Sequence, residues 1–209
     1  MNKQALVILT SVLATGLAAQ TANSTPKQTT KYIYYSITGD TPASIYTTLI
    51  KRGPRVGGVK AYASTTAVSS QTGLVSPGKF CSLKDYTFKI DFTINLPKLK
   101  NEAALDGTTR REWSKFSRFL RTHEETHRKI WLACGADLES KVLALKAKSC
   151  TELNAKSIAL WNQTRASCTK KQNAFDVAEQ ARLLRHPFVK LVLSRGSKTQ
   201  SALAVIKKK

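Results

Sequence analysis

The chain has 209 residues, a length that fits one domain with a single buried core and argues against several domains. It carries 34 Lys and Arg residues against 13 Asp and Glu residues, for a net charge of +21. Such an excess is typical of proteins with a polyanionic neighbour, although it can also serve solubility alone. Because the first residues of the chain predict export, nucleic acid is not the expected partner. The expected polyanions are therefore lipopolysaccharide, anionic lipid headgroups and acidic wall polymers.

The first residues of the chain predict export. Lys3 supplies a positive start, residues 5–17 are apolar, and small residues follow at Ala18 and Ala19. We therefore expect a signal peptide over residues 1–19, with an uncleaved N-terminal anchor as the alternative. No later stretch is apolar enough to cross a bilayer, so the expected location of the mature chain is periplasmic or secreted.

Composition divides the remaining chain into three parts. Residues 20–31 are polar and predict a linker, and residues 32–190 predict a single domain. Residues 191–209 predict a basic C-terminal tail, which ends in three lysines. Within the domain we expect a sheet over residues 32–97 and a helical hairpin over residues 109–185.

The front half of the domain predicts mainly β-structure. Residues 32–38 are aromatic and β-branched, and residues 59–68 are rich in Thr, Val and Ala, so both predict strands. Residues 80–96 alternate between apolar and polar side chains, as in a half-buried strand that the next proline ends. Between the first two strands, a short helix is expected to begin at Pro42 and to stop at Gly53.

The back half predicts two helices. Residues 109–148 contain no proline. One amphipathic stripe recurs there at steps of three and four, formed by Trp113, Phe116, Leu120, His123, His127, Ile130, Cys134 and Leu138. Ser149 and Glu152 have the spacing of a capping box, which predicts a turn and a second helix over residues 151–184. The predicted fold class is α+β, with a small, mainly antiparallel sheet followed by a long antiparallel helical hairpin.

Four cysteines in an exported chain predict two disulfides. Zinc–thiolate ligation is the alternative, which the absence of Cys-x-x-Cys spacing disfavours. Cys134 and Cys168 each lie 17 residues from Thr151, at the turn of the predicted hairpin. This register predicts a Cys134–Cys168 bridge and leaves Cys81–Cys150 as the second.

The segment His123-Glu124-Glu125-Thr126-His127 carries the candidate chemistry. Two histidines four residues apart on a helix lie about 40° apart around its axis and about 6 Å apart along it, which suits two ligands of one zinc ion. Glu124 is then placed to exchange a proton with an activated water. The alternative is a pair of buried, hydrogen-bonded histidines without metal, which would need a partner for every ring nitrogen.

Asp176, Glu179 and His186 are the candidates for the third metal ligand. Asp137 would lie about 15 Å from His127 along the same helix, which excludes it unless that helix breaks. The hairpin register instead places Phe175 opposite His127, with Asp176 next to it, and Glu179 opposite His123. Asp176 and Glu179 are therefore candidates, and Asp176 is slightly favoured. His186 is the chemically better zinc ligand but lies nearly two turns further along.

These features together resemble the domain-of-unknown-function 922 family, a family of exported bacterial proteins that are predicted zinc-dependent proteases. The resemblance covers most of the mature chain. It rests on an ordered series formed by residues 34–41, Gly53 and Pro54, Cys81, Leu96 and Pro97, Trp113 and Phe116, the histidine segment, Ser149 and Cys150, and residues 174–176.

The resemblance implies that His123 and His127 bind the metal and that Glu124 is the catalytic acid and base. Many members of the family have Thr-x-His-Gly shortly after the position of Asp176. This chain departs from them there, with residues 179–182 reading Glu-Gln-Ala-Arg.

Two functional hypotheses follow. The favoured one is an exported zinc metallopeptidase with Glu124 as its catalytic residue and His123, His127 and Asp176 as its metal ligands. The other is a non-enzymatic basic envelope protein that binds anionic envelope polymers or lipid headgroups, with any metal absent or structural. An open coordination position would favour the enzyme, because structural zinc sites are closed by four protein ligands.

Overall fold

A computed structural model describes residues 26–195. The predicted signal peptide and residues 196–209 of the predicted tail lie outside this range. The strands are β1 Lys27–Ile37, β2 Arg55–Val56, β3 Val59–Lys60, β4 Ser64–Ser76, β5 Cys81–Leu99 and β6 Lys146–Ala147. The helices are α1 Pro42–Arg52, α2 Gly107–Leu143, α3 Cys150–Arg185 and α4 Pro187–Arg195, with a short 3-10 helix over Glu102–Ala104. The fold is α+β, as predicted.

The main sheet is mixed. Its strand order is β1-β5-β4, and β6 also pairs with β5. The β4–β5 and β5–β6 pairs are antiparallel, in line with the prediction, whereas β1 runs parallel to β5. Parallel strands need a connection of about a dozen residues or more, and residues 38–80, which include α1 and β4, connect β1 to β5.

The central strand β5 covers the core with one face. Its predicted alternation is confirmed, because Phe88, Ile90, Phe92 and Ile94 are all at most 4% exposed. The strand continues past Pro97, where the sequence predicted its end. Pairing with β4 stops at Asn95, so the missing N–H of the proline leaves no gap on that side of β5.

The helix α2 crosses this apolar face. Its N-terminal half packs into a cluster with α1 and α4 around Trp113 and Phe116, and its C-terminal half meets β5 through Leu138 and Val142. At Gly135 a Cβ atom would lie 2.7 Å from the Phe88 ring, so glycine permits the close approach of α2 to the sheet. The helix is continuous through this position.

Residues nearer the N-terminus of α2 contact residues nearer the C-terminus of α3. Cys134 is bonded to Cys168, and His127 and His123, further back on α2, both meet Asp176, further on along α3. The two predicted disulfides, Cys134–Cys168 and Cys81–Cys150, are both present.

Several predicted boundaries differ from the structure. β1 begins at Lys27, inside the predicted linker, because its first residues pair with β5 through the main chain. The predicted strand over residues 59–68 is split between β3 and β4. Residues 187–195 form α4, so the first residues of the predicted tail, 191–195, belong to a helix, and Phe188, Val189 and Val192 join the core. Pro187 begins this helix, a position where proline is tolerated.

The segment between α2 and α3 also differs from the predicted turn. α2 ends at Leu143, and β6 precedes α3, because Ala147 and Lys146 pair with Cys81 and Ser82 of β5. At the start of α3 the Ser149 hydroxyl accepts from the backbone N–H of Glu152, as predicted. The Glu152 carboxylate accepts from the N–H of Lys148. No helix within residues 26–195 has the length and apolar character needed to cross a membrane.

Candidate metal site

The two histidines of α2 point toward α3. Their side chains are 19% and 13% exposed for His123 and His127, so both are largely shielded from solvent. Phe175 of α3 stacks on the His123 ring at 4.8 Å between centroids and meets the His127 ring edge-on at 5.1 Å. The apolar contact fixes the orientation of both rings.

Asp176 completes a compact triangle of donor atoms. The Nε2 atoms of His123 and His127 are 3.0 Å apart. The Oδ1 atom of Asp176 lies 3.2 Å from the first nitrogen and 3.1 Å from the second. Ligand atoms around a tetrahedral zinc ion, with bonds of about 2.0–2.1 Å, lie about 3.3 Å apart. The triangle therefore has nearly the dimensions of one face of such a site, and the three residues together could hold a metal ion.

Gln172 determines which nitrogen of His127 carries the proton. Its side-chain N–H donates to the backbone carbonyl of His127 at 3.0 Å, so its Oε1 atom is the one that faces His127 Nδ1. A carbonyl oxygen only accepts, and Nδ1 must therefore donate. In the neutral imidazole this leaves a lone pair on Nε2, which points at the donor triangle.

This tautomer makes the triangle a poor hydrogen-bonded cluster in the absence of a cation. The Nε2 lone pair of a neutral His127 would face the Asp176 carboxylate, which also only accepts. Either a proton or a metal ion has to lie between the two groups. The donor set of two imidazoles and one carboxylate therefore fits a cation, and it is a set that zinc commonly uses.

The protonation of the site follows the same electrostatics. Burial raises the pKa of Asp176, but the hydrogen bonds with both imidazoles outweigh it and hold the pKa below its ordinary value. Burial lowers the pKa of His127, but hydrogen bonds to Asp176 and Gln172 outweigh it, and the net pKa is raised. The carboxylate is thus held in its charged form, as a metal ligand must be.

Glu124 lies beside the triangle in a dry environment. It is 4% exposed, and its Oε2 atom accepts a hydrogen bond of 2.8 Å from the Thr65 hydroxyl of β4. The same hydroxyl lies 3.0 Å from the Glu124 backbone oxygen. Burial raises the pKa of Glu124 above its ordinary value, although the neighbouring His123 and the Thr65 hydrogen bond oppose the shift. A carboxyl group in this environment can both accept and donate a proton.

Glu125, the next residue, has a different role. It accepts a hydrogen bond from the Tyr32 hydroxyl of β1 and forms an ion pair of 2.8 Å with Arg128. Arg121 lies over the Tyr32 ring at 4.9 Å from its centroid. These contacts attach α2 to β1 on a side of the helix that does not face the donor triangle.

The other two candidates for the third ligand are engaged elsewhere. Glu179 forms an ion pair of 2.6 Å with Arg182. His186 packs on the rings of Phe116 and Phe119, and its Nδ1 atom accepts from the backbone N–H of Phe188. Among the described residues, neither belongs to the cluster of His123, His127 and Asp176.

The donor triangle opens onto a groove of about 410 Å³. His123, Glu124 and Asp176 line one part of it. The rest is lined by Phe119 and Leu120 of α2, by Ile50 of α1, by Val56 and Val59 of the β2–β3 hairpin with residues 60–63, and by the last turns of α3. A molecule in this groove would therefore lie against both the candidate metal ligands and the candidate proton acceptor.

The candidate residues His123, Glu124 and His127 of α2 and Asp176 of α3 were predicted from the sequence, whereas the residues that support them, Gln172 and Thr65, were not. Gln172 lies one helical turn before Asp176, so the same register could have suggested it. Thr65 comes from a strand whose contact with α2 depends on the tertiary fold, and nothing in its local sequence indicates a role.

The profile of a family described as "Bacterial protein of unknown function (DUF922)" matches residues 32–183. The chain belongs to the DUF922 family. The DUF922 match extends from β1 to near the end of α3, so it includes the donor triangle, Glu124, Thr65 and Gln172. No curated protein and no solved structure matches the chain. The family description assigns no activity.

Proposed function

We propose that this DUF922 protein is an exported zinc-dependent metallopeptidase. The observation that carries the proposal is the face of donor atoms from His123, His127 and Asp176, set beside the buried carboxyl group of Glu124 on one groove. Catalytic zinc sites use three protein ligands and keep the fourth position open, whereas structural sites are closed by four. Two imidazoles and a carboxylate favour zinc among the common divalent ions of this kind of site.

Each residue of the site has a separate role in peptide hydrolysis. A bound zinc ion would make a water molecule more acidic and would polarise the substrate carbonyl group. Glu124 accepts a proton from the attacking water and returns it to the leaving amine nitrogen. The Thr65 hydroxyl orients the Glu124 carboxylate. Gln172 keeps His127 in the tautomer that presents Nε2 to the site.

Export is part of the proposal. The two disulfides join β5 to the start of α3 and α2 to the middle of α3. Disulfides of this kind form and persist in oxidising compartments such as the periplasm or the extracellular space. The apolar N-terminal stretch with its small residues supports the same location.

Zinc content and hydrolysis measured together test the enzyme. The purified chain should bind about one zinc per molecule and hydrolyse unfolded casein, and Glu124→Gln should retain the zinc and lose roughly 10²–10⁴-fold in rate. Glu125→Gln is the matched control, because this neighbour faces β1 rather than the groove. Hydrolysis that survives in Glu124→Gln would contradict the assignment.

The basic charge supports the second hypothesis, a non-enzymatic envelope protein. A net charge of +21 favours attachment to lipopolysaccharide or anionic lipid headgroups. Such binding should weaken as salt shortens the Debye length, and Glu124→Gln should not change it. If binding to anionic vesicles persists in high salt, the electrostatic hypothesis is wrong.

A further inference from the structure

The groove beside the donor triangle is mainly apolar where α2 and the β2–β3 region line it, whereas its α3 wall also carries Asn173, Asp176, Glu179 and Gln180. Phe119 and Leu120 of α2 lie next to His123 and Glu124, and Val59 and the β2–β3 hairpin face them. Val177 and Leu183 belong to the α3 wall. The three valines that line the groove are exposed, with Val56 at 48%, Val59 at 42% and Val177 at 70%.

The charged side chains that line the groove already have partners. Asp176 faces the two histidines, and Glu179 is paired with Arg182. Lys60 donates to the backbone oxygens of Lys51 and Gly53 at 3.0 and 2.9 Å. A charged substrate side chain would lose water in this groove and would have to displace an existing contact to gain a partner, whereas an apolar one would gain by burial.

We propose that the groove binds a large apolar side chain, such as Leu or Phe, of a peptide substrate next to the scissile bond. The inference rests on the proposed peptidase function and names its substrate class. Because His123, Glu124 and Asp176 line the same groove, a side chain seated among Phe119, Val59 and Val177 brings the adjoining peptide bond to the site. A volume of about 410 Å³ accommodates such a side chain together with neighbouring main chain.

Peptide binding to a hydrolysis-deficient variant tests the groove separately from the chemistry. Fluorescently labelled peptides that differ only in one central residue, Leu, Phe, Ser, Lys or Glu, would be titrated with full-length, zinc-loaded Glu124→Gln, and anisotropy would report binding. We expect the Leu and Phe peptides to bind about tenfold or more tightly than the Ser, Lys and Glu peptides, because only the first two bury a large apolar side chain.

Exposed valines provide matched variants. Val59→Lys and Val177→Lys, each made in the Glu124→Gln background, should reduce the preference for Leu and Phe to about threefold or less. Val68→Lys should leave it unchanged, because Val68 is 71% exposed on β4 and does not line the groove. All three positions are surface sites, so the variants should fold, which thermal unfolding would verify.

Each outcome has a definite meaning. Equal binding of all peptides, no binding of any, or a preference that survives in both groove variants overturns the proposal. A clear apolar preference in a protein that never hydrolyses peptides supports the groove and contradicts the peptidase. Hydrolysis by the unmodified chain without any apolar preference supports the peptidase and contradicts the groove proposal.

Discussion

Gln172 acts on the site through His127 rather than by touching the metal position. It accepts from Nδ1 and donates to the backbone carbonyl of the same histidine, which fixes both the tautomer and the ring orientation. Partners of this kind commonly change metal affinity by 10–100-fold. We therefore expect Gln172→Leu to weaken zinc binding by about that factor, as measured by competition with a chromophoric chelator.

The matched control for this variant is Gln163→Leu. Gln163 lies on α3 too, but it is exposed, so its replacement should leave the zinc affinity unchanged. If Gln172→Leu binds zinc as tightly as the unmodified chain, the orienting role of Gln172 is wrong, even if the variant is less stable.

At the same scale, the sequence predicted Asp176 because two cysteines placed symmetrically about Thr151 defined the register of α2 against α3. This register follows from helix geometry and sequence distance alone. The register favoured Asp176 only slightly over Glu179, although the ion pair of Glu179 with Arg182 is an i,i+3 pair that the sequence could have suggested. The packing of His186 on the Phe116 ring joins distant segments of the chain, so local sequence does not encode it.

The two disulfides differ in which elements they hold together. Cys134–Cys168 joins α2 to α3, the two helices that carry the donor triangle. Cys81–Cys150 joins the start of β5 to the start of α3, close to the β5–β6 pair. Their sequence separations of 34 and 69 predict similar stabilisation, about 4 kcal/mol each on the chain-entropy model.

Because only one of the two bridges joins α2 to α3, removing them should have similar effects on stability but different effects on zinc binding. Replacing either pair by alanine should lower the free energy of unfolding by about 4 kcal/mol in denaturant titrations. Only the Cys134→Ala/Cys168→Ala variant should also bind zinc more weakly, since only that bridge fixes α2 against α3. Equal zinc affinity in the two variants would show that the remaining contacts between the helices suffice to hold the site.

The helices and strands that were predicted correctly are those with a periodic pattern of apolar residues. The stripe from Trp113 to Leu138 and the alternation in β5 are local patterns, and both correspond to buried faces. The parallel pairing of β1 with β5 and the insertion of β6 were not predicted, because main-chain pairing between distant segments leaves little trace in either sequence. The α4 helix was not predicted, because the predicted hairpin ends at residue 185 and the predicted tail begins at residue 191, in the middle of α4.

At the scale of the whole molecule, the site connects three parts of the fold. α2 supplies His123 and His127, α3 supplies Asp176, and β4 supplies the Thr65 hydroxyl that holds Glu124. None of these elements carries a complete site alone, so the donor triangle forms only when the chain is folded. A ligand that binds the folded state alone stabilises it by mass action.

Zinc should therefore raise the melting temperature of the protein. At a free concentration of 100 times the dissociation constant, the gain is about 2.7 kcal/mol, which corresponds to roughly 5–10 °C for a domain of this size. Asp176→Asn should abolish most of the shift, because it removes one of three donors. Asp137→Asn is its control, since Asp137 is exposed on α2 and pairs with Lys141. A full shift in Asp176→Asn, measured by differential scanning calorimetry, would place the stabilising zinc elsewhere in the molecule.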